Sequence, residues 1–504
     1  MCMQQIVRFY LVLVFSLHGY QAFFAQNAGL NRDYYFEQRA TLFTSVRQFG
    51  DDVVVVGQSG TDSTFISSFF VLQLDTLGEI QKLDFYKDSS DHTLVNSFYY
   101  DAICPTVNNG FLISGNMFSR NSVFAVLIDS LLRLTEFTEY GTDALARFTR
   151  NIYYHDNFYY ITGLVSKPDH DLDVFVLKTD KLLNRIWEKT YGNPEYSDNG
   201  SSAVLEDGGI TVLVGEWMDP SHLEYNDERR WTKFIHIDTS GSIQWQWKSE
   251  ENEEAGSPNG LVKAGSDYIY FTRPGYQVSP AEVHFGTQII CRDRSLNLVW
   301  RKDYSNIFAY QGFNDMVMGP DGYLYVTGQI YEEVMWGRIF KIDPANGDVI
   351  WQARDTGLWR ENWGSRNVME GITVLPSGSV VAVGYTWAGL GVERGFVIKA
   401  TKDGCIDTLC TTSTIDEFLA DQSKKVKVYP NPTTDYLIFE IDEDLYDTRV
   451  EIFDLHGRML QHQKMRPGVQ AVMLDEGRYT PGIYVWRIVT EQGGLVKSGK
   501  FVVK

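Results

Sequence analysis

Seven times along the chain, a turn leads into an apolar strand ending in Gly, then a strand ending near Asp, then a third strand that often carries Trp. The clearest copy is Asp321-Gly-Tyr-Leu-Tyr-Val-Thr-Gly328, Gly337-Arg-Ile-Phe-Lys-Ile-Asp343 and Gly347-Asp-Val-Ile-Trp351. A further apolar stretch precedes each first strand, such as Ser202-Ala-Val-Leu-Glu206 or Gly371-Ile-Thr-Val-Leu375, and supplies a fourth. The Asp recurs as Asp75, Asp129, Asp180, Asp238, Asp293 and Asp343, with Asp403 near the seventh position. A period of roughly fifty to sixty residues fits a four-stranded propeller blade rather than a short solenoid repeat. Alternation within the runs and an aromatic share of 14% favour strands, and no segment sustains a helical period. The expected fold is all-β: a seven-bladed β-propeller over residues 30–413, then a small Ig-like β-sandwich.

Asp at a strand end before a Gly-containing turn is a turn former through its own side chain. Trp187, Trp245, Trp300 and Trp351 occupy one place in the repeat, which points to packing between blades. The Asp-Gly-x-x-Tyr-x-x-Gly and Lys-x-Asp-x-x-x-Gly-x-x-x-Trp patterns resemble bacterial surface propellers built of quinoprotein-like repeats. That resemblance implies architecture and not activity. A quinoprotein dehydrogenase would use eight blades with dedicated cofactor and calcium ligands, whereas seven copies are present here. No cofactor and no metal site are expected.

At the N-terminus Arg8 precedes the apolar run Phe9–Leu17, which is too short to span a bilayer and reads as a signal peptide over residues 1–26. Cleavage is expected near Ala25 or Gln26. No later segment has eighteen uninterrupted apolar residues, so no membrane span is expected in the mature protein. Loss of Cys2 with the signal leaves four cysteines. Cys405 and Cys410 are disulfide candidates in an exported chain, and Cys104 and Cys291 sit in apolar runs that suit buried thiols. The formal charge of −20 argues against nucleic acid as a partner.

Residues 414–424 read as a polar linker, and residues 425–504 as a separate module of short strands. Four elements occur there in order: Tyr429-Pro430-Asn431-Pro432-Thr433, Phe453-Asp-Leu-His-Gly-Arg458, Pro481-Gly482-Ile-Tyr484 and the terminal Lys500-Phe-Val-Val-Lys504. Together they resemble the type A C-terminal sorting domain of the type IX secretion system of Bacteroidetes. The resemblance implies a partner, the type IX secretion machinery, and passage through the periplasm to the cell surface or the medium.

In a propeller the connections between strands one and two and between three and four share one face. Here these are tight turns. The opposite face carries the long connections Glu216–Arg230, Arg273–Gly286, Tyr331–Trp336, Tyr385–Arg394 and Asp355–Glu370. Trp217, Trp231, Trp336, Trp359, Trp363 and Trp387 lie in or beside them, away from the repeated strand position, and form a candidate ligand face for a glycan or protein. No HExxH, Walker A or Gly-x-Ser-x-Gly motif is present. Asp169, Asp171 and Asp173 begin like a calcium loop, but Val174 stands where Gly is needed. A paired-carboxylate site would leave no sequence spacing to read. The sequence therefore favours a binding module over an enzyme, the alternative being a polysaccharide hydrolase or lyase on the long-loop face.

Overall fold

A computed structural model of the chain describes residues 30–406 and 426–504, apart from 37–39, 61–65, 87–93, 97–101, 118–119, 142–144, 168–171, 194–195, 219–229, 251–257, 273–274, 280–281, 286, 305–309, 332–334, 356–365, 389–391, 442–447, 455–458, 467, 475–476 and 491–494. The signal peptide and the linker lie outside the described residues. The chain divides into two compact units, Met1–Leu409 and Cys410–Lys504.

Among the described residues the first unit is built of seven antiparallel four-stranded sheets, the blades of a propeller. Strands are lettered a (at the axis) to d (outermost). Blade 1 comprises Ala40–Phe49, Asp52–Gly60, Ile66–Leu74 and Ile80–Tyr86. Blade 2 has a split strand a, Leu94–Asn96 and Ile103–Pro105, then Phe111–Met117, Ser122–Ile128 and Leu134–Tyr140. Blade 3 is Arg147–His155, Phe158–Ser166, Leu172–Thr179 and Arg185–Tyr191; blade 4 is Tyr196–Glu206, Gly209–Met218, Arg230–Asp238 and Ile243–Lys248. Blade 5 is Asn259–Ala264, Asp267–Thr272, Gln288–Arg292 and Leu298–Asp303, with a hairpin, Gly275–Ser279 and Glu282–Phe285, between b and c. Blade 6 is Tyr310–Met318, Leu324–Tyr331, Met335–Ile342 and Val349–Arg354.

Blade 7 takes Arg366–Val374, Val380–Ala388 and Val392–Ala400 from the end of the repeat region, and its strand d, Leu30–Tyr34, from the start of the described chain. Leu30 pairs with Lys399 and Tyr34 with Gly395, so one sheet joins the two ends of the ring. The repeat count is therefore seven as expected, but the closing strand carries no copy of the repeat.

Blades stack on both faces, so strands b and c must be apolar on both sides. Val53–Val56 and Val174–Leu177 are accordingly buried without alternation, while strands d are half open to solvent. A register shift breaks the a–b pairing in blades 1 and 3 to 7, for example between Phe313 and Asp315. Such bulges increase the local twist, which a blade needs in order to fan outward from the axis.

The repeated Asp closes the c–d turn. The Asp180 carboxylate accepts from the backbone N–H of Leu182 and Asn184, both at 2.8 Å, and Asp75, Asp129, Asp238 and Asp293 do the same in their blades. A hydrogen bond from Ser240 and others around it hold Asp238 down to about 2. In blade 7 the position falls on Thr401, whose hydroxyl accepts from Cys405 N–H at 3.1 Å, and not on Asp403. Of the cysteine expectations, Cys104 and Cys291 are buried thiols, which burial pushes up to about 11 and about 12. Cys410 lies outside the described residues.

The second unit has two sheets. One contains Val426–Tyr429, Tyr436–Ile441 and Gly468–Met473; the other contains Met459–Met465, Thr448–Phe453, Gly482–Thr490 and Leu495–Val503. Leu437, Phe439, Val450, Ile452, Trp486 and Phe501 form the core between them.

Candidate functional site

Each blade junction has its own hydrophobic cluster, and most junctions are also latched by an aromatic polar group. From strand d of one blade, Tyr34, Tyr86, Tyr140, Tyr191 and, just beyond strand d of blade 5, Tyr304 donate their hydroxyls to carbonyls in the next blade's c–d turn: Gly78, Leu132, Leu183, Gly241 and Gly347. Three of the repeated tryptophans do likewise through the indole N–H, Trp187 to Thr239 O, Trp300 to Pro344 O and Trp351 to Lys402 O, at 3.0–3.1 Å. They are structural, as their place in the repeat predicts.

Blades 4 and 5 meet differently. Trp245 occupies the same position as the other three but has no acceptor among the described residues. Leu296 O, where a tyrosine latch would land, is taken at 2.8 Å by Arg292 of its own blade. Among the described residues the cluster at this junction holds seven buried residues, against ten to thirteen at each of the others.

A ladder across strands b, c and d also differs in blade 4, though not there alone: in blade 5 the same places hold Ile269, Cys291 and Trp300. In blade 3 it reads Tyr160, Lys178, Trp187; in blade 6 it reads Tyr325, Lys341, Trp351. Four residues before each Tyr is an Asp of the a–b turn, Asp156 or Asp321. In blade 6 Asp321 accepts from Tyr325 OH and Lys341 Nζ, both at 2.8 Å. Blade 4 keeps the acid as Asp207 but reads Thr211, His236, Trp245 along the ladder. Thr211 is smaller than the tyrosine of blades 3 and 6, and a cavity of about 320 Å³ lies at the short-turn end of blades 4 and 5.

Glu206, Asp207, His236 and Trp245 of blade 4 and Lys263, Ser266, Tyr268 and Arg294 of blade 5 line it. Glu206 Oε1 accepts from Lys263 Nζ at 2.6 Å and from Tyr268 OH at 2.8 Å; its Oε2 receives Thr211 Oγ and lies 3.3 Å from His236 Nδ1. His236 stacks flat on Trp245 at 5.4 Å between centroids. Burial opposes ionisation of Glu206, but the bonds from Lys263, Thr211 and Tyr268 outweigh it and keep its carboxyl below the usual range. Burial and the bond to Glu206 push the Tyr268 phenol up. At neutral pH the first is therefore a carboxylate and the second a phenol, and neither is poised to carry a proton. Among the described residues, Asp207 and Arg294 make no hydrogen bond or ion pair, and both are exposed.

The long-loop tryptophans are placed as follows. Trp231 meets Tyr196 edge-on at 5.1 Å, and Lys248 Nζ lies 4.0 Å above the Trp231 ring. Arg354 covers Trp336 at 4.9 Å, and Trp217 is half-buried in strand b of blade 4. Trp387 sits in strand b of blade 7 by its backbone pairing with Glu393. Trp359 and Trp363 lie outside the described residues, as do Asp169 and Asp171; Asp173 pairs with Lys167 at 3.2 Å.

Two carboxyls do meet at that end. Asp198 and Glu216 are direct cross-strand partners in blade 4 and are 1% and 2% exposed. Burial pushes Asp198 up to about 8; one of its oxygens accepts from Val174 N–H at 3.0 Å, and the other has no partner among the described residues. Burial opposes ionisation of Glu216 too, but Lys233 at 2.6 Å and Lys248 at 2.7 Å keep it ionised. Because Asp198 holds its proton in the folded chain over a range where the unfolded chain has released it, stability falls as pH rises from about 4 to about 8, by up to ~1.4 kcal/mol per unit. Asp198→Asn is expected to remove this slope, so the variant gains on the parent as pH rises. Parallel denaturation curves at pH 5 and pH 8 would show the carboxyl to be ionised throughout.

A second cavity, of about 370 Å³, lies among the inner strands of blades 3 to 6. Its polar groups tie strands together: Tyr153 OH accepts from Ala203 N–H at 2.9 Å, and Asp315 accepts from Met316 and Ile372 N–H. Burial pushes the Asp315 carboxyl up, and Arg47 partly offsets this.

In the second unit, Asn431 is fixed to the last strand, donating to Lys500 O and accepting from Val502 N–H, both at 3.0 Å. Tyr484 is buried with its hydroxyl donated to Thr480 O at 2.8 Å; Gly482 opens its strand, and Tyr429 is exposed between Val428 and Pro430. Asn431 stands between Pro430 and Pro432, and both Tyr429–Pro430 and Asn431–Pro432 are cis. Residues 427–504 match the secretion system C-terminal sorting domain. The sorting domain implies export to the outer surface or the medium and a partner in the type IX machinery. No helix among the described residues is long and apolar enough to cross a membrane.

No curated protein matches the sequence. Among solved structures, the chain is similar to the β-propeller domain of the trilobed protease from Pyrococcus furiosus, at 10% identity and a TM-score of 0.42, over 74% of this chain and 99% of that one. It is also similar to a protein of unknown function from Dyadobacter fermentans, at 8% identity and 0.43, over 74% and 98%. A polysaccharide lyase, an ulvan lyase, aligns at 8% identity and 0.46, over 72% and 95%. None of these likenesses bears on what the chain binds or does.

Proposed function

We propose that this exported propeller is a non-catalytic binding module whose ligand is an extracellular glycan, held between blades 4 and 5. The observation that carries this is the cavity at the blade 4–5 junction, where neither a strand-d tyrosine nor the repeated Trp reaches a carbonyl of the next blade's c–d turn among the described residues. Its volume falls in the range of small-molecule sites, and it offers an aromatic wall beside convergent polar groups, the usual furniture of a sugar site. A cavity of about 320 Å³ fits a single ring better than a protein surface. The shifted groups within it are held in fixed protonation states, which supports binding over turnover.

The alternative, a hydrolase or lyase on the long-loop face, draws support from Asp198 and Glu216, a protonated and an ionised carboxyl side by side. Their burial and the backbone and lysine contacts they make favour a structural role. The long-loop tryptophans are a second face for the same binding function.

Thr211→Tyr tests the choice. The new ring supplies the tyrosine that blades 3 and 6 carry, over His236 where they carry Lys, and Asp207 holds the same place in sequence as Asp321. On a glycan array the parent chain is expected to bind without releasing products, and the variant to lose about tenfold or more in affinity while still melting in one cooperative transition. Product release would establish an enzyme, and undiminished binding by the variant would move the ligand to the long-loop face.

A further inference from the structure

We propose that the blade 4–5 pocket takes an anionic sugar unit, a ring bearing a carboxylate or a sulfate ester, with the anion on Arg294 and the ring against Trp245; this rests on the glycan-binding reading of the same pocket. The argument is one of hydrogen-bonding capacity. A carboxylate offers about four acceptor positions, and three of those of Glu206 are already met by Lys263, Tyr268 and Thr211, whose hydroxyl also lies 2.9 Å from His236 Nδ1. What remains open is mostly donors. The Arg294 guanidinium makes no hydrogen bond among the described residues, and the Trp245 indole N–H lacks the carbonyl that its three counterparts find. Lys263 has spent one of its three N–H groups on Glu206. Asp207 is the one lining carboxylate left without a partner among the described residues, and it suits a sugar hydroxyl.

A donor-rich cleft under a planar guanidinium recognises an acceptor-rich group, and arginine binds carboxylate and sulfate oxygens in paired bonds. The chain's charge of −20 opposes an anion at long range, but at physiological salt that field is screened within about 8 Å. Within the pocket the local donors decide.

The full-length secreted chain is titrated calorimetrically with four probes: an oligogalacturonide, its methyl-esterified form, a sulfated galacto-oligosaccharide and its unsulfated parent. One anionic probe is expected to bind about tenfold or more tightly than its uncharged counterpart, and which one does so identifies the anion. Arg294→Gln, a change at an exposed side chain, is expected to erase that preference through a loss of about 10- to 100-fold for the anionic probe only. Thr211→Tyr is expected to abolish binding of both members of the pair. Equal affinity for charged and uncharged probes, lost on Thr211→Tyr, would overturn the anionic assignment and leave the glycan site standing. A preference that survives Arg294→Gln would overturn it as well. No binding by any probe would overturn both.

Discussion

Tyr34→Ala is expected to lower the unfolding free energy of the propeller by about 3–5 kcal/mol, the usual cost of removing a large buried aromatic. Tyr34 is 5% exposed, packs on Phe43 at 5.5 Å and donates to Gly78 O at 2.7 Å across the junction from blade 7 to blade 1. It is the last residue of the strand that closes the ring, and that strand is further held by Asn31 to Asp355 and by Asp33 to Arg394, both at 2.8 Å. Loss of the ring opens the cluster of Phe36, Phe43, Phe70 and Val397 to water. Tyr34→Phe keeps the packing and loses only the hydrogen bond, so a cost of about 1 kcal/mol is expected. Denaturant titration of both variants checks this. A cost below 1 kcal/mol for Tyr34→Ala would mean that residues 30–34 do not close the ring in solution.

Removal of residues 426–504 is expected to stop export while leaving a folded propeller. Each hydrophobic cluster among the described residues draws on one unit alone, seven in the first and one in the second. The truncated chain should accumulate inside the outer membrane and be absent from the surface and the medium, as seen by cell fractionation and immunoblotting. Its melting transition should match that of the propeller in the whole chain. Export of the truncated chain at the parent level would show that another segment carries the signal. Within the sorting domain, Glu451 is 2% exposed and bonded to Arg449 and Arg487, each at 2.7 Å. The carboxylate ties strand Thr448–Phe453 to its neighbour Gly482–Thr490.

The blades were legible in the sequence because each must solve one problem. A c–d turn has backbone N–H groups to satisfy, and an Asp does so at the same place in blade after blade. A Trp on strand d must reach the next turn, so it recurs too. The closing strand was not legible for the opposite reason. Leu30–Tyr34 has no repeat to match, and its partners, such as Arg394, lie 361 residues away. In the seventh turn Thr401 takes the role of Asp, and a hydroxyl there leaves no acid to mark the repeat.

The pocket was hidden by the same regularity that revealed the fold. Trp245 matches its counterparts in position, so it reads as packing, and the tight turns beside it read as inert. The signal was a departure within the pattern: Asp156 and Asp321 are followed four residues later by Tyr, but Asp207 by Thr211. Seeing its consequence required the register that sets Thr211 beside His236 and His236 beside Trp245. The tryptophans outside the repeated position lie instead in the long connections, where Trp217, Trp231 and Trp336 are half-buried, two of them under Lys248 and Arg354.

A crystal structure of the propeller soaked with the tightest-binding saccharide tests the central claim most directly. The ligand is expected in the cleft between Trp245 and Arg294, with a sugar face on the indole and Thr211 beneath it. Saccharide seated instead on the long-loop face, around Trp217, Trp231 and Trp336, with the blade 4–5 cleft occupied only by water, would contradict it.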